Sequence, residues 1–223
     1  MKDVKTIFFD MDGTLIQSEF GIFDSVLYAL EQFDYQLEDK SILRKFIGPP
    51  LYTSFTEFLG FEPEAAERAV ALYRDFYSRE GIYRAPLYDG VREMLRDLKD
   101  AGLRLACVTS KPDMFAKRVL EFHDIGQFFE ILAAPAPQDH NADKAPLLLR
   151  AMGELSIDPA EVVMVGDRMY DINGANDAGV RSIGVLYGYG SEEELTEAGA
   201  TELAWTPAEV VRICLDRQRG DLK

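Results

Sequence analysis

Apolar positions along this chain fall into two regimes. Between residues 17 and 85 they recur every three or four positions, as in Ile22, Phe23, Val26, Leu27, Leu30 and Phe33. That is the spacing of a helix with one apolar face. The same spacing predicts a short helix over Ile42–Phe46, ended by Gly48-Pro49-Pro50, and another over Leu51–Leu59, closed by Gly60. Pro63 opens a fourth, with Ala66, Val70, Tyr73 and Tyr77 along one face. Outside this stretch two patterns alternate. Thr6–Phe9, Leu103–Thr109, Phe129–Ala133, Glu161–Val165 and Arg181–Leu186 are short apolar runs that read as buried strands. Val91–Leu98, Phe115–Phe122, Ala145–Leu155, Ile172–Ala178 and Glu192–Ala198 carry helical periodicity. Such alternation predicts an α/β fold with a doubly wound parallel sheet. Residues 1–16 and 86–223 would build it, interrupted after the first strand by an α-helical insertion, residues 17–85. The tail after Leu215 reads as frayed.

Doubly wound sheets bind ligands beyond the carboxyl ends of their strands, and the polar clusters of this chain fall there. The first strand runs into Asp10-Met11-Asp12-Gly13-Thr14-Leu15. Carboxylates two residues apart leave a strand on one side, and Gly13 lets the backbone turn away at once. Two such acids make sense if a cation sits between them or one carries a proton for the other. Hard oxygen ligands suit Mg²⁺, which often meets substrate phosphate, and a carboxylate can act as a nucleophile. A calcium loop does not fit, because Gly13 comes too early and the twelfth position, which needs glutamate, is Gly21.

Three later segments add to this. The second strand delivers the hydroxyls of Thr109 and Ser110 and the ammonium of Lys111, groups that suit a phosphate's free oxygens. Ser110 before Pro112 also suits a helix cap. Lys144 opens a helix and offers the cation that clustered carboxylates and a phosphate need. The fourth buried strand ends on Gly166-Asp167-Arg168, with Asp171 on the same side of the turn. Helix capping accounts for Asp171 but not for Asp167. Ser191 and Glu194 read as a capping box. Gly188-Tyr189-Gly190 lacks the third glycine of a dinucleotide fingerprint, and His123 and His140 are isolated and given no role.

Composition narrows the partners. A net charge of −15 argues against a nucleic acid polymer, which clustered Lys and Arg must neutralise, and leaves a small phosphorylated metabolite open. Cys107, in a strand, and Cys214, in an amphipathic helix, read as core residues of a protein in a reducing cytosol. No apolar run approaches the roughly 20 residues of a membrane span, and Asp10 and Asp12 interrupt any signal-peptide core. The expectation is a cytoplasmic protein without a membrane partner.

Asp10-Met11-Asp12-Gly13-Thr14-Leu15, Thr109, Lys144 and Gly166-Asp167 with Asp171 stand in the order of four known motifs. Together they resemble phosphatases of the haloacid dehalogenase superfamily with a helical cap after the first motif. Phe46-Ile47-Gly48-Pro49-Pro50-Leu51 and Gly188-Tyr189-Gly190-Ser191 are similar to the phosphoglycolate phosphatase-like branch. A 5′-nucleotidase-like group shares these features. The resemblance implies a Rossmann-like core and a Mg²⁺-dependent phosphate monoester hydrolase working through an aspartyl-phosphate. Asp10 would be the nucleophile and Asp12 the acid and base, with Thr109 and Lys144 catalytic. Thr14, Ser110, Lys111 and Arg168 would surround the substrate. Asp10, Asp12 through its carbonyl and Asp167 would hold Mg²⁺, with Asp171 a ligand or its neighbour. Two departures stand out. Ser110 replaces the usual Asn, and Asp143-Lys144-Ala145-Pro146 lacks the usual Gly-Lys-Pro, so Lys111 is the other candidate for the phosphate-site lysine. Dehalogenases of the superfamily do not keep the second acid, and a non-catalytic binding module would have lost part of the set. Substrate stays open, as does the choice between monomer and homodimer.

Overall fold

The computed structural model describes residues 4–136 and 143–218. The chain divides into two compact units, one of Met1–Ile16 with Leu87–Lys223, the other of Gln17–Pro86. Strand β1, Thr6–Phe9, is buried along its whole length. The helical unit follows it. It comprises α1 (Glu19–Glu31), a 3-10 segment at Lys40–Phe46, α2 (Leu51–Thr53) running into a π-helical stretch at Ser54–Phe58, α3 (Pro63–Arg79) and a 3-10 turn at Gly81–Tyr83. The expected second and third helices are therefore 3-10 and part π. Each is too short for a full amphipathic face, so packing rather than propensity decides its winding.

Helix α1 packs against α3, and aromatic rings fill the unit. Tyr28 stacks on Phe76 at 4.8 Å, Tyr73 on Tyr77 at 5.6 Å, and Phe46 meets Phe55 edge-on at 5.2 Å. On α3 the buried face is Ala66, Ala69, Tyr73 and Tyr77, with Val70 only half-buried. At Gly21 the backbones come closest: a Cβ there would lie 2.0 Å from the Gly81 carbonyl oxygen.

The rest of the chain alternates. Its order is α4 (Val91–Asp100), β2 (Arg104–Val108), α5 (Asp113–Phe122), β3 (Ile131–Ala133), α6 (Lys144–Leu155), β4 (Val162–Gly166), α7 (Met169–Asp177), β5 (Arg181–Val185), α8 (Glu192–Glu197), β6 (Glu202–Ala204) and α9 (Pro207–Gln218). The strands form one parallel sheet in the order β3-β2-β1-β4-β5-β6. Strand β6 has no counterpart among the predicted elements, and α9 extends to Gln218, three residues past the Leu215 after which fraying is expected.

Phe8, Val108, Leu148, Met152, Val162, Met164 and Ala175 share one buried cluster, made by the sheet with α6 and α7. Strands covered on both faces need near-continuous apolar runs, and β1 reads Thr-Ile-Phe-Phe. Each large side chain so buried contributes about 1.5–3 kcal/mol. The topology places β1 and β4 side by side although the chain visits β2 and β3 between them. That is a switch point, the place where such sheets open a crevice at their carboxyl ends. No helix among the described residues is long and apolar enough to cross a membrane.

Candidate active site

Register brings the polar ends together. Phe9, the last residue of β1, is level with Cys107 on β2 and Val165 on β4, so Asp10, Thr109 and Asp167 emerge at one edge. The Asp10 amide donates to the Val165 carbonyl at 2.9 Å, fixing the first carboxylate beside β4. Asp10, Asp167 and Asp171 are all buried, with carboxylate oxygens within 4.8 Å of one another.

One ammonium enters this cluster. Lys144 Nζ lies 2.6 Å from Asp10 Oδ1 and 2.8 Å from Asp171 Oδ1, and donates to the Val108 carbonyl at 3.1 Å. Burial pushes the Asp10 carboxyl up to about 7; Lys144 opposes that rise, while Asp171 and Asp12 add to it. Asp167 is also raised well above the usual carboxylate range, by burial first and then by Asp171 and Asp10. Burial works against the Lys144 charge, but Asp10 and Asp171 outweigh it and hold the ammonium protonated.

The two acids of the first loop do not share one cation. Asp12 Oδ2 pairs with Lys111 Nζ at 2.8 Å, while Asp12 Oδ1 is buried without a hydrogen-bond partner. The chain leaves its extended conformation after Phe9, so strand alternation no longer aligns Asp12 with Asp10. Across the four carboxylates there are two lysines, Lys111 and Lys144. With all four ionised, the deficit of two positive charges matches a divalent ion, whose charge would offset the burial that raises Asp10 and Asp167, and an all-carboxylate donor set suits a hard one. The residues present therefore fit such an ion.

The haloacid dehalogenase-like hydrolase family matches residues 7–185 of the chain. This protein belongs to that family. It is similar to a solved "predicted phosphatase" from Clostridium acetobutylicum, with 40% identity and a TM-score of 0.90 over 96% of this chain and 100% of that one. It is 35% identical to a 5′-nucleotidase from Pseudomonas aeruginosa, over 85% of this chain and 86% of that protein. It is 29% identical to a phosphoglycolate phosphatase from Vibrio parahaemolyticus, over 95% and 96% respectively. It is also 35% identical to the tyrosine-protein kinase PtkA of Mycobacterium tuberculosis over 87% of its own length, but spans only 66% of that protein.

The remaining predicted residues fall around the cluster. Thr109 is buried, and its Oγ1 accepts from the Lys111 amide at 3.2 Å. Thr14 is buried too, and its hydroxyl donates toward Asp167 Oδ1 at 3.4 Å. Ser110 is half-buried and does not cap α5, whose N-cap position is Pro112. Arg168 turns to Glu194, with Nε 2.8 Å from Oε1, and its guanidinium lies 5.6 Å over the Tyr170 ring. Asp171 also caps α7, accepting from the Arg168 amide at 3.2 Å. His123 closes α5 with its ring edge-on to Phe122, and His140 lies outside the described residues.

Sequence reasoning missed the support for Asp167. The Tyr189 amide donates to Asp167 Oδ2 at 2.8 Å, and the Gly190 amide to its carbonyl at 3.1 Å. A Cβ on Gly13, where φ is +86°, would lie 2.1 Å from Asp167 Oδ2, and one on Gly188 would lie 2.4 Å from Asp167 Cβ. Only glycine lets both loops close on that carboxylate. The expected capping box is half-formed. Ser191 accepts from the Glu194 amide, but the Glu194 carboxylate accepts instead from Arg168 and the Met169 amide, at 2.8 and 2.9 Å. The one available signal was the glycine density of Gly188-Tyr189-Gly190.

Proposed function

We propose that this chain is a Mg²⁺-dependent hydrolase of small phosphate monoesters, with Asp10 as nucleophile. The observation that carries the reading is the buried trio of Asp10, Asp167 and Asp171 around Lys144. Two carboxyls held above their usual range by burial are poor for stability but suit a site that binds a cation and phosphate. Asp10, Asp167 and Asp171 would hold the ion, with the Asp12 carbonyl as the resemblance implies. The ion would neutralise charge on the transferred phosphoryl group.

The protein's own residues supply the chemistry. Asp10 Oδ attacks phosphorus as the ester P–O bond breaks, and the leaving oxygen keeps the electron pair and takes a proton from Asp12. Water then attacks the aspartyl-phosphate, giving a proton to Asp12, and the Asp10 carboxylate is restored as phosphate departs. Lys144 holds Asp10 in place and offsets negative charge. Thr109, Ser110 and Thr14 stand at the loops around the phosphate, and Arg168 ties the loop after β4 to α8 through Glu194.

We assign substrate selection to the helical unit, residues 17–85, acting as a cap. It carries exposed Arg44 and Lys45 beside its aromatic core, cations that suit the carboxylate of a phosphoglycolate-like ester. The test is phosphate release from phosphoglycolate, sugar phosphates and nucleoside monophosphates, compared by kcat/KM. Asp10→Asn and EDTA should each abolish it, with Mg²⁺ restoring the second and Ca²⁺ failing to. A preference of about 10-fold for nucleoside monophosphates, some 1.4 kcal/mol of transition-state binding, would assign the chain to the nucleotidase group, as its 35% identical relative is named. Turnover by Asp10→Asn would overturn the mechanism.

A further inference from the structure

Two lysines are buried in this site, and the mechanism above uses only Lys144. Lys111 is 9% exposed and its ammonium stands 2.8 Å from Asp12 Oδ2. The backbone fixes its origin. The Lys111 amide donates to Thr109 Oγ1 at 3.2 Å, and the Thr109 amide donates to the Ala133 carbonyl of β3 at 3.0 Å. The lysine is therefore tied to the end of β2, while Asp12 sits on the loop after β1. That loop is closed by its own backbone, with the Gly13 amide donating to the Ile16 carbonyl at 2.9 Å, and the Asp12 side chain reaches out of it to Lys111. Lys111 holds one carboxylate oxygen and leaves the other, Oδ1, buried and unpartnered. Buried carboxylate oxygens rarely lack a donor; this one is left open toward the reacting groups.

We infer that Lys111 is a positioning residue for Asp12. Its ammonium pins Oδ2 so that Oδ1 is the oxygen that serves the leaving group and then the attacking water. This rests on the reading under Proposed function and adds a residue to it. The rival role is direct contact with substrate phosphate, which would act without Asp12.

The two roles separate in a double-mutant cycle, measured by single-turnover hydrolysis of an aryl phosphate with enzyme in excess. Lys111→Met should lower the rate by about 10²-fold, the lower end of what a positioned acid–base group supplies, and leave KM in steady state unchanged. Lys111→Arg should recover part of the rate. In the Asp12→Asn background, Lys111→Met should have no further effect. That double variant removes both charges of the pair, so it remains informative if Lys111→Met alone does not fold. Equal losses in the two backgrounds, or a loss expressed in KM, would overturn the positioning role in favour of phosphate contact. If the unmodified protein hydrolyses no phosphate ester, the reading under Proposed function falls and this inference with it. If it is active and the coupling is absent, this inference alone falls.

Discussion

Lys144 is the residue on which the carboxylate cluster turns. It contacts both Asp10 and Asp171 from a nearly buried position, 5% exposed. Removing one partner of a buried ion pair leaves uncompensated charge, at a cost of about 3–5 kcal/mol. Lys144→Met should therefore lower Tm sharply in EDTA, and Mg²⁺ should restore more of it than in the unmodified protein, since a dication can replace the missing charge. Thermal melts with and without Mg²⁺ check this; a Mg²⁺ response no larger than that of the unmodified protein would count against metal at the trio. Asp10 gives a second test, with its sign fixed by linkage. Its carboxyl rises from 3.8 to about 7 on folding, so its stabilising contribution is complete below about pH 4 and is lost as pH rises through about 7. In chelator, Asp10→Asn should gain stability relative to the parent across that window, read by denaturant melts at several pH values. Much of this site is legible in the sequence. Asp10 and Asp167 end buried strands, where a carboxylate has no packing reason to be. Which lysine serves which acid is not legible, because Lys111 and Lys144 both enter from neighbouring elements on long flexible stems.

Among the elements, the buried strands are legible because a sheet covered on both faces demands apolar runs. Strand β6 is not, since Glu202-Leu203-Ala204 is three residues with a charge and gains its strand state from pairing with β5. The segment Leu51–Leu59 carries helical spacing, but the Tyr-Thr-Ser-Phe-Thr run gives little intrinsic preference, and the chain shifts to π winding at Ser54–Phe58. In the helical unit, α1 meets the Gly81–Tyr83 turn through Gly21, and Ser25 Oγ donates to the Gly21 carbonyl at 2.6 Å. A methyl at Gly21 meets backbone rather than a movable side chain, so Gly21→Ala should destabilise the unit by about 1–3 kcal/mol, the range of core overpacking. Denaturant unfolding of the full chain, followed by a probe within residues 17–86, checks it; an unchanged midpoint would mean the helix slides at no cost.

At the scale of the whole molecule, charge sets a problem that no single residue displays. The chain carries −15, yet the proposed substrates are anions, and among the described residues the four carboxylates of the site pair with Lys111 and Lys144, while nearby Arg168 is itself paired with Glu194. With a bound dication the site itself is near neutrality, and the long-range field remains that of an acidic protein. Such a field repels a phosphate ester at distance and attracts the metal. Salt screens the repulsion, with a Debye length falling from about 30 Å at 0.01 M to about 8 Å at 0.15 M. At saturating Mg²⁺, kcat/KM for a small phosphate dianion should therefore rise with ionic strength over that range, while kcat stays flat because the contacts within the site are screened far less. The expected sign is opposite to that of an enzyme that steers its anionic substrate with a basic funnel. A steep fall of kcat/KM with salt would mean that cations local to the site govern capture in spite of the global charge.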